Sequence, residues 1–99
     1  MTIDQEAKAL LLREEIITYH ENGKVSKQYY MIDNKIDGEY KEWFDNGQLC
    51  VHCFYKDGKG DSKIKIWDKD GKLIVYQVYK NGKFIKDLSE KIDDNRSKS

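Results

Sequence analysis

The chain has no proline, only two cysteines and no net charge, 18 Lys and Arg being offset by 18 Asp and Glu over 99 residues. Each absence excludes something. Without proline, tight turns must rely on Asn-Gly and Asp-Gly chemistry. Two cysteines are too few for a disulfide framework, so reduced thiols in an intracellular protein are expected. Charge balance removes the basic excess of a nucleic-acid binder, and nucleic acid is not an expected partner. No apolar run approaches the ~18 residues of a membrane span. The opening "MTIDQEAKALLLREE" carries acidic residues ahead of a short leucine run, unlike a secretory signal. What is present is aromatic: 12% Phe, Trp and Tyr, including seven tyrosines, is too much for a disordered chain. The length bounds a single domain that buries roughly 60–65% of its unfolded surface, hence a thin core.

The chain repeats itself. Tyr19, Trp43 and Trp67 are spaced by 24 residues, and the same offset superimposes Gly23, Gly47 and Gly71, then Val25, Leu49 and Leu73. Asn34, Gly58 and Gly82 also coincide, each followed by a lysine. Each copy contains two turn signals. One is "ENGK", "DNGQ" or "KDGK"; the other is "IDNK", "KDGK" or "KNGK". Asn-Gly and Asp-Gly supply the positive φ angles of two-residue type I′ hairpin loops. Between them lie runs rich in Tyr, Ile, Val, Phe and Trp, as strands require. Strands are predicted at 14–19, 25–32, 39–44, 49–55, 63–67, 73–79 and 84–88. The fold class is therefore all-β, a single-layer antiparallel β-meander of tandem 24-residue hairpin repeats. Residues 13–88 form the repeat domain, 1–12 a cap segment that could be a short helix, and 89–99 a polar tail expected to fray.

Two-residue loops place opposite residues on one face. Phe44 is then expected to face Leu49, with Val25, Tyr29, Tyr40, Leu49, Val51, Cys53, Tyr55, Ile64, Leu73 and Tyr79 on the more apolar face. The other face carries Tyr19, Lys41, Trp43, Cys50, His52, Phe54, Lys65, Trp67 and Tyr76.

"DGEYKEWFDNGQL" followed by "CFYKDGK" resembles the variant MORN repeat, a short MORN-like unit of antitoxin-like bacterial proteins and of large DNA virus proteins. Gly38, Tyr40, Trp43, Phe44, Asn46, Gly47, Leu49, Tyr55, Gly58 and Lys59 fill its pattern. Ser62 and Lys86 stand where the pattern has its opening Gly, Met31 replaces the Tyr, and Asn34 the second Gly. The resemblance implies an elongated meander used for protein–protein contact or scaffolding, with no catalytic residues. An assembly or virion component of a large DNA virus is one implied role. An antitoxin-like neutraliser of a toxin protein is another, and a peripheral binder of anionic lipid a third.

Cys50, His52 and Cys53 invite a metal or redox reading. Structural zinc needs four converging ligands, only His20 remains to complete the set, and strand alternation puts Cys50 and His52 on one face with Cys53 on the other. A redox CxxC sits at a helix N-terminus; this pair lies mid-strand. They are expected to be ordinary strand residues, with no metal and no cofactor. Asp45, Asp57, Asp61, Asp68 and Asp70 lack calcium-loop spacing and suit turns. No enzyme is expected.

The aromatic–lysine face is the candidate partner-binding surface: Tyr19, Lys41, Trp43, His52, Phe54, Lys65, Trp67 and Tyr76. One reading is repeat stacking, with lysine stems covering the rings. The other is a protein partner anchored by Trp and Tyr. Exposed sheet edges add the expectation of a homo-oligomer or a larger assembly.

Overall fold

The computed structural model describes residues 12–92. Its nine strands are β1 Glu14–Tyr19, β2 Val25–Ile32, β3 Lys35–Ile36, β4 Gly38–Trp43, β5 Leu49–Lys56, β6 Lys59–Gly60, β7 Ser62–Trp67, β8 Leu73–Lys80 and β9 Lys83–Asp87. They form one antiparallel sheet in the order β1-β2-β4-β5-β7-β8-β9, with β3 on β2 and β6 on β5. The 24-residue period is therefore literal: β1, β4 and β7 are equivalent, as are β2, β5 and β8. The meander expected from the repeat is the observed fold. The two-residue strands β3 and β6 are additions that the sequence pattern did not separate from their neighbours.

The two turns of each repeat differ, and the difference corrects the expected loops. At the second turn, Asp33 and Asn34, Asp57 and Gly58, and Asn81 and Gly82 all have positive φ, as a two-residue type I′ loop demands. At the first turn only Gly23, Gly47 and Gly71 are left-handed. The Gly23 amide donates to His20 O at 2.9 Å, and the His20 amide to Lys24 O at 2.8 Å. This is a three-residue loop, a type I turn closed by a left-handed glycine.

The extra loop residue is compensated by a β-bulge. Register shifts fall between Thr18 and Tyr19, Glu42 and Trp43, and Ile66 and Trp67. Tyr19 is thereby opposite Val25, Trp43 opposite Leu49, and Trp67 opposite Leu73. Val25, Leu49 and Leu73 lie on the tryptophan face, not on the apolar face where two-residue loops would put them. Phe44 bonds Gln48, its amide to the carbonyl at 2.9 Å, and does not face Leu49.

Consecutive repeats meet along short junctions. β2 pairs β4 through Lys27↔Glu42 and Gln28↔Lys41; β5 pairs β7 through Val51↔Ile66 and His52↔Lys65. Between them the chain kinks, at Gly38 with φ 105° and at Ser62 with φ 73°. The turns themselves stack at both ends of the strands. Asn22 Nδ2 donates to Asp45 O at 2.8 Å and Asn46 Nδ2 to Lys69 O at 3.1 Å. The Gly58 amide donates to Ile36 O at 2.9 Å and the Gly82 amide to Gly60 O at 2.8 Å.

The sheet is a single layer. Among the described residues only Cys53 and Ile92, each 5% exposed, are buried hydrophobics. A single layer has no second layer to cover either face, so cohesion comes from lateral packing. Tyr29, Tyr40 and Tyr55 stack in series on the first face, with centroids 5.5 and 5.7 Å apart, a geometry worth ~0.5–1.5 kcal/mol per pair beyond area burial.

The expected N-terminal cap lies outside the described residues except Leu12, which is exposed. Of the segment read as a polar tail, Ser89–Lys91 form a single 3₁₀ turn and Ile92 packs away from solvent.

Candidate functional site

The pairing registers assemble the aromatic–lysine face in rows. Ile17, Gln28, Lys41, His52, Lys65 and Tyr76 are successive cross-strand neighbours from β1 to β8. Residues directly opposite on paired strands share a face, so Lys41, His52, Lys65 and Tyr76 form one transverse line. A second line at the loop ends holds the pairs Tyr19–Val25, Trp43–Leu49 and Trp67–Leu73. Phe54 sits on the other side of the first line, paired with Glu39. All eight candidate residues thus fall on one face. Tyr19 is 62% exposed, Phe54 38%, and the two tryptophans are half-buried.

The tryptophans are held by the bulge. Trp43 lies against the preceding repeat: Ile17, Lys24, Val25, Gln28 and Trp43 line one shallow cleft. His20 Nε2 lies 2.8 Å from Trp43 O, tying the loop of the first repeat to the strand of the second.

Charges on this face are engaged locally. His52 Nε2 is 2.8 Å from Glu39 Oε2, and Lys41 Nζ is 3.7 Å from Glu39 Oε1. Lys65 Nζ lies 4.9 Å above the Tyr76 ring, and Lys63 Nζ 5.9 Å from it. The His52 and Phe54 rings are 5.2 Å apart. The lysines therefore cover rings and neutralise a carboxylate, and they do not form a bare cationic strip.

Glu39 is a residue of the candidate face that sequence reasoning left out of it. Its contact is a diagonal one, 13 residues along the chain, and it recurs: Gln28 Nε2 donates to Glu15 Oε2 at 2.7 Å one repeat earlier. In the third repeat the equivalent pair is Lys63 and Tyr76. The signal was the 24-residue period applied to a pair instead of to single positions.

The first face carries the perturbed groups. Burial, then a hydrogen bond to Glu42 Oε1 at 2.7 Å, pushes the Tyr40 hydroxyl well above its ordinary range. Burial raises the Cys53 thiol to about 11, a hydrogen bond with Tyr55 opposing and the Glu42 charge reinforcing. Tyr55 is raised by burial and then by its Cys53 neighbour.

The cysteine–histidine cluster is dispersed, by a different route from simple alternation. Burial and then the charge of Glu42 push the Cys50 thiol up. Glu42 belongs to the Tyr40 side of the sheet. The residue equivalent to Cys50, Ser26, lies with its Oγ 2.6 Å from Thr18 Oγ1, the equivalent of Glu42. The bulge thus turns Cys50 toward the first face, away from His52, which stays with Glu39. Both cysteines are free thiols, and thiols with raised pKa values are poor nucleophiles at neutral pH. Among the described residues, no three His, Cys, Asp or Glu side chains are grouped to hold a metal ion. Turn aspartates bond backbone instead: Asp68 Oδ1 accepts the amides of Asp70 at 2.9 Å and Lys72 at 3.0 Å.

Among the described residues no helix is long and apolar enough to cross a membrane. The model of the MORN repeat variant family matches residues 15–33 and 36–57. Those segments cover the β1–β2 and β4–β5 repeats, and the β7–β8 repeat continues them in register. No curated protein and no solved structure shows a significant match to the chain.

Proposed function

We propose that this chain, whose residues 15–33 and 36–57 match the MORN repeat variant, a repeat of binding or structural modules, binds a protein partner through the tryptophan face. The observation that supports this is the row structure of the face. Tyr19, Trp43 and Trp67 recur at equivalent positions on a one-layer sheet, flanked by Lys41, His52, Lys65 and Tyr76 in line. Every second strand lies about 10 Å further along the sheet, so the anchors form a ladder of regular pitch. Trp and Tyr are the side chains that dominate interface energetics. A partner presenting a repeated or extended surface matches such a ladder.

A scaffold or assembly role and a toxin-neutralising role both use this surface and differ in the partner. A lipid-binding role is less supported, because Lys41 is paired with Glu39 and Lys65 is spent on Tyr76. The test is affinity capture with quantitative mass spectrometry, comparing the native chain with a Trp43→Ala, Trp67→Ala variant that retains its β-sheet circular dichroism. Loss of a specific partner from the variant supports the reading. An unchanged partner set assigns the tryptophans to repeat stacking alone.

A further inference from the structure

The repeat array stops abruptly at its C-terminal side, and the stop is a built one. In the interior, the first half of each long return strand pairs outward with the next repeat: β2 through Lys27 and Gln28, β5 through Val51 and His52. The equivalent positions on β8 are Val75 and Tyr76, and among the described residues no strand pairs their outer edge. β9 pairs only with the far half, Gln77–Lys80. The chain had the residues to continue. By period, Ser89, Glu90 and Lys91 correspond to Lys65, Ile66 and Trp67 of β7. They form a 3₁₀ turn instead.

That turn occupies the vacant edge. The Leu88 amide donates to Tyr76 O at 2.7 Å, taking the acceptor that the next repeat would use. The Asp87 carboxylate accepts both the Ser89 amide, at 2.6 Å, and the Ser89 hydroxyl. The Lys91 amide donates to Leu88 O at 2.7 Å, the Ile92 amide donates to Ser89 O at 3.0 Å, and Ile92 is buried.

The complementary edge exists at the other end of the array. β1 is equivalent to β4 and β7, and among the described residues no strand pairs its outer side. The His20 amide bonds inward to Lys24 O, and amides alternate along a strand, so those of Ile17 and Tyr19 point outward. Superposition by the repeat period sets Ile17 opposite Tyr76 and Thr18 opposite Val75, matching Lys41 opposite Gln28 and Glu42 opposite Lys27. Ile17 is 39% exposed, as befits an uncovered junction residue.

We propose that the outer edge of β8 over Leu73–Tyr76 is a strand-docking site for β1 of a second copy of this chain, held closed by residues 88–92. The contact is continuous with the β2–β4 and β5–β7 junctions already in the fold. It is heterologous, so an opened chain adds copies head to tail rather than stopping at a two-fold dimer. It uses a sheet edge and does not depend on the tryptophan face as a partner surface.

The test releases the closure in the full-length chain. Leu88→Pro removes the amide bonded to Tyr76 O, and Ile92→Glu removes the apolar anchor. In sedimentation velocity from 10 µM to 1 mM (about two decades, spanning the weak affinities typical of small strand contacts), the native chain is expected to stay monomeric. The double variant is expected to gain mass with concentration, and adding Ile17→Pro is expected to return it to monomer. Proline is tolerated on an edge strand where its missing amide faces solvent, so the β1–β2 ladder survives. An uncapped variant that stays monomeric, or oligomers indifferent to Ile17→Pro, overturn the proposal. Should the double variant lose its sheet by circular dichroism, Asp87→Ala, which frees Ser89 and the Gln77 side-chain amide, is judged by the same two outcomes.

Discussion

Asn22 and Asp45 are bonded across 23 residues of chain, the Asn22 side-chain amide donating to the Asp45 carbonyl at 2.8 Å. The same side chain also accepts the Lys24 amide at 2.9 Å, closing its own turn. Asn46 repeats both bonds, to Lys69 and Gln48. An asparagine can close a turn and staple the next one because it carries both an acceptor and a donor. In the third repeat the position is Asp70, whose carboxylate has no amide donor. Replacing Asn46 by Asp keeps the acceptor and loses the staple, and is expected to cost ~0.5–1.5 kcal/mol in urea unfolding. No loss would mean the inter-repeat bond is not formed in solution.

Ser62 occupies a left-handed kink, φ 73°, where the preceding repeat has Gly38 at φ 105°. A side chain there costs roughly 1–2 kcal/mol, against which a glycine's extra chain entropy gives back ~0.5–1 kcal/mol. Ser62→Gly is expected to stabilise the protein by up to about 1 kcal/mol. A lower thermal midpoint for this variant contradicts the account of the kink.

Cys53 links pH to stability. Its thiol is raised to about 11 in the folded sheet, against roughly 8.5 in the unfolded chain. Between those values the unfolded state binds fewer protons, so stability falls as pH rises from about 8.5 toward 11. Tyr40 and Tyr55, raised in the same direction, extend the decline at the alkaline end. Cys53→Ala is expected to flatten the first part of this slope while lowering stability at neutral pH. A native chain equally stable at pH 8 and pH 10.5 refutes the burial of the thiol.

The aromatic ladder separates by exposure. Trp67 is half-buried opposite Leu73, whereas Tyr19 is 62% exposed. Trp67→Ala is expected to cost ~2 kcal/mol, below the 3–5 of a fully buried ring. Tyr19→Ala is expected to stay within about 0.5 kcal/mol, as for an exposed surface site. Equal costs would show that the two positions pack alike.

Cys50, His52 and Cys53 are expected to bind no stoichiometric zinc. Purified protein titrated with zinc against a chromogenic chelator checks this directly. A one-to-one uptake lost on His52→Ala would require the sheet to rearrange around that strand.

Much of the fold was legible because the repeat is exact. A 24-residue offset with paired turn signals implies hairpins, and hairpins in tandem imply a meander. Strand bounds followed closely, with β1 and β2 matching the predicted residues. The candidate face was legible in outline, since Tyr19, Lys41, Trp43, His52, Phe54, Lys65, Trp67 and Tyr76 do share a side. What misled was the first turn. "DNGQ" reads as a two-residue loop, and one added residue reverses the facing of whatever follows it. Leu49 and Cys50 therefore exchanged the sides expected of them, while Val51 onward did not, because the bulge absorbed the shift. Glu39 was invisible for a related reason: its partner His52 is set by diagonal geometry across a hairpin.

The amino-acid order alone determined the period, the turn positions and the antiparallel meander, because Asn-Gly and Asp-Gly dictate local backbone angles and alternating aromatics dictate strands. Only the tertiary structure decided which loop carries three residues, where the bulges fall, and that residues 88–92 fold back onto β8. Those outcomes depend on hydrogen bonds between segments distant in sequence, such as Leu88 to Tyr76 and Asn22 to Asp45, which no local propensity encodes.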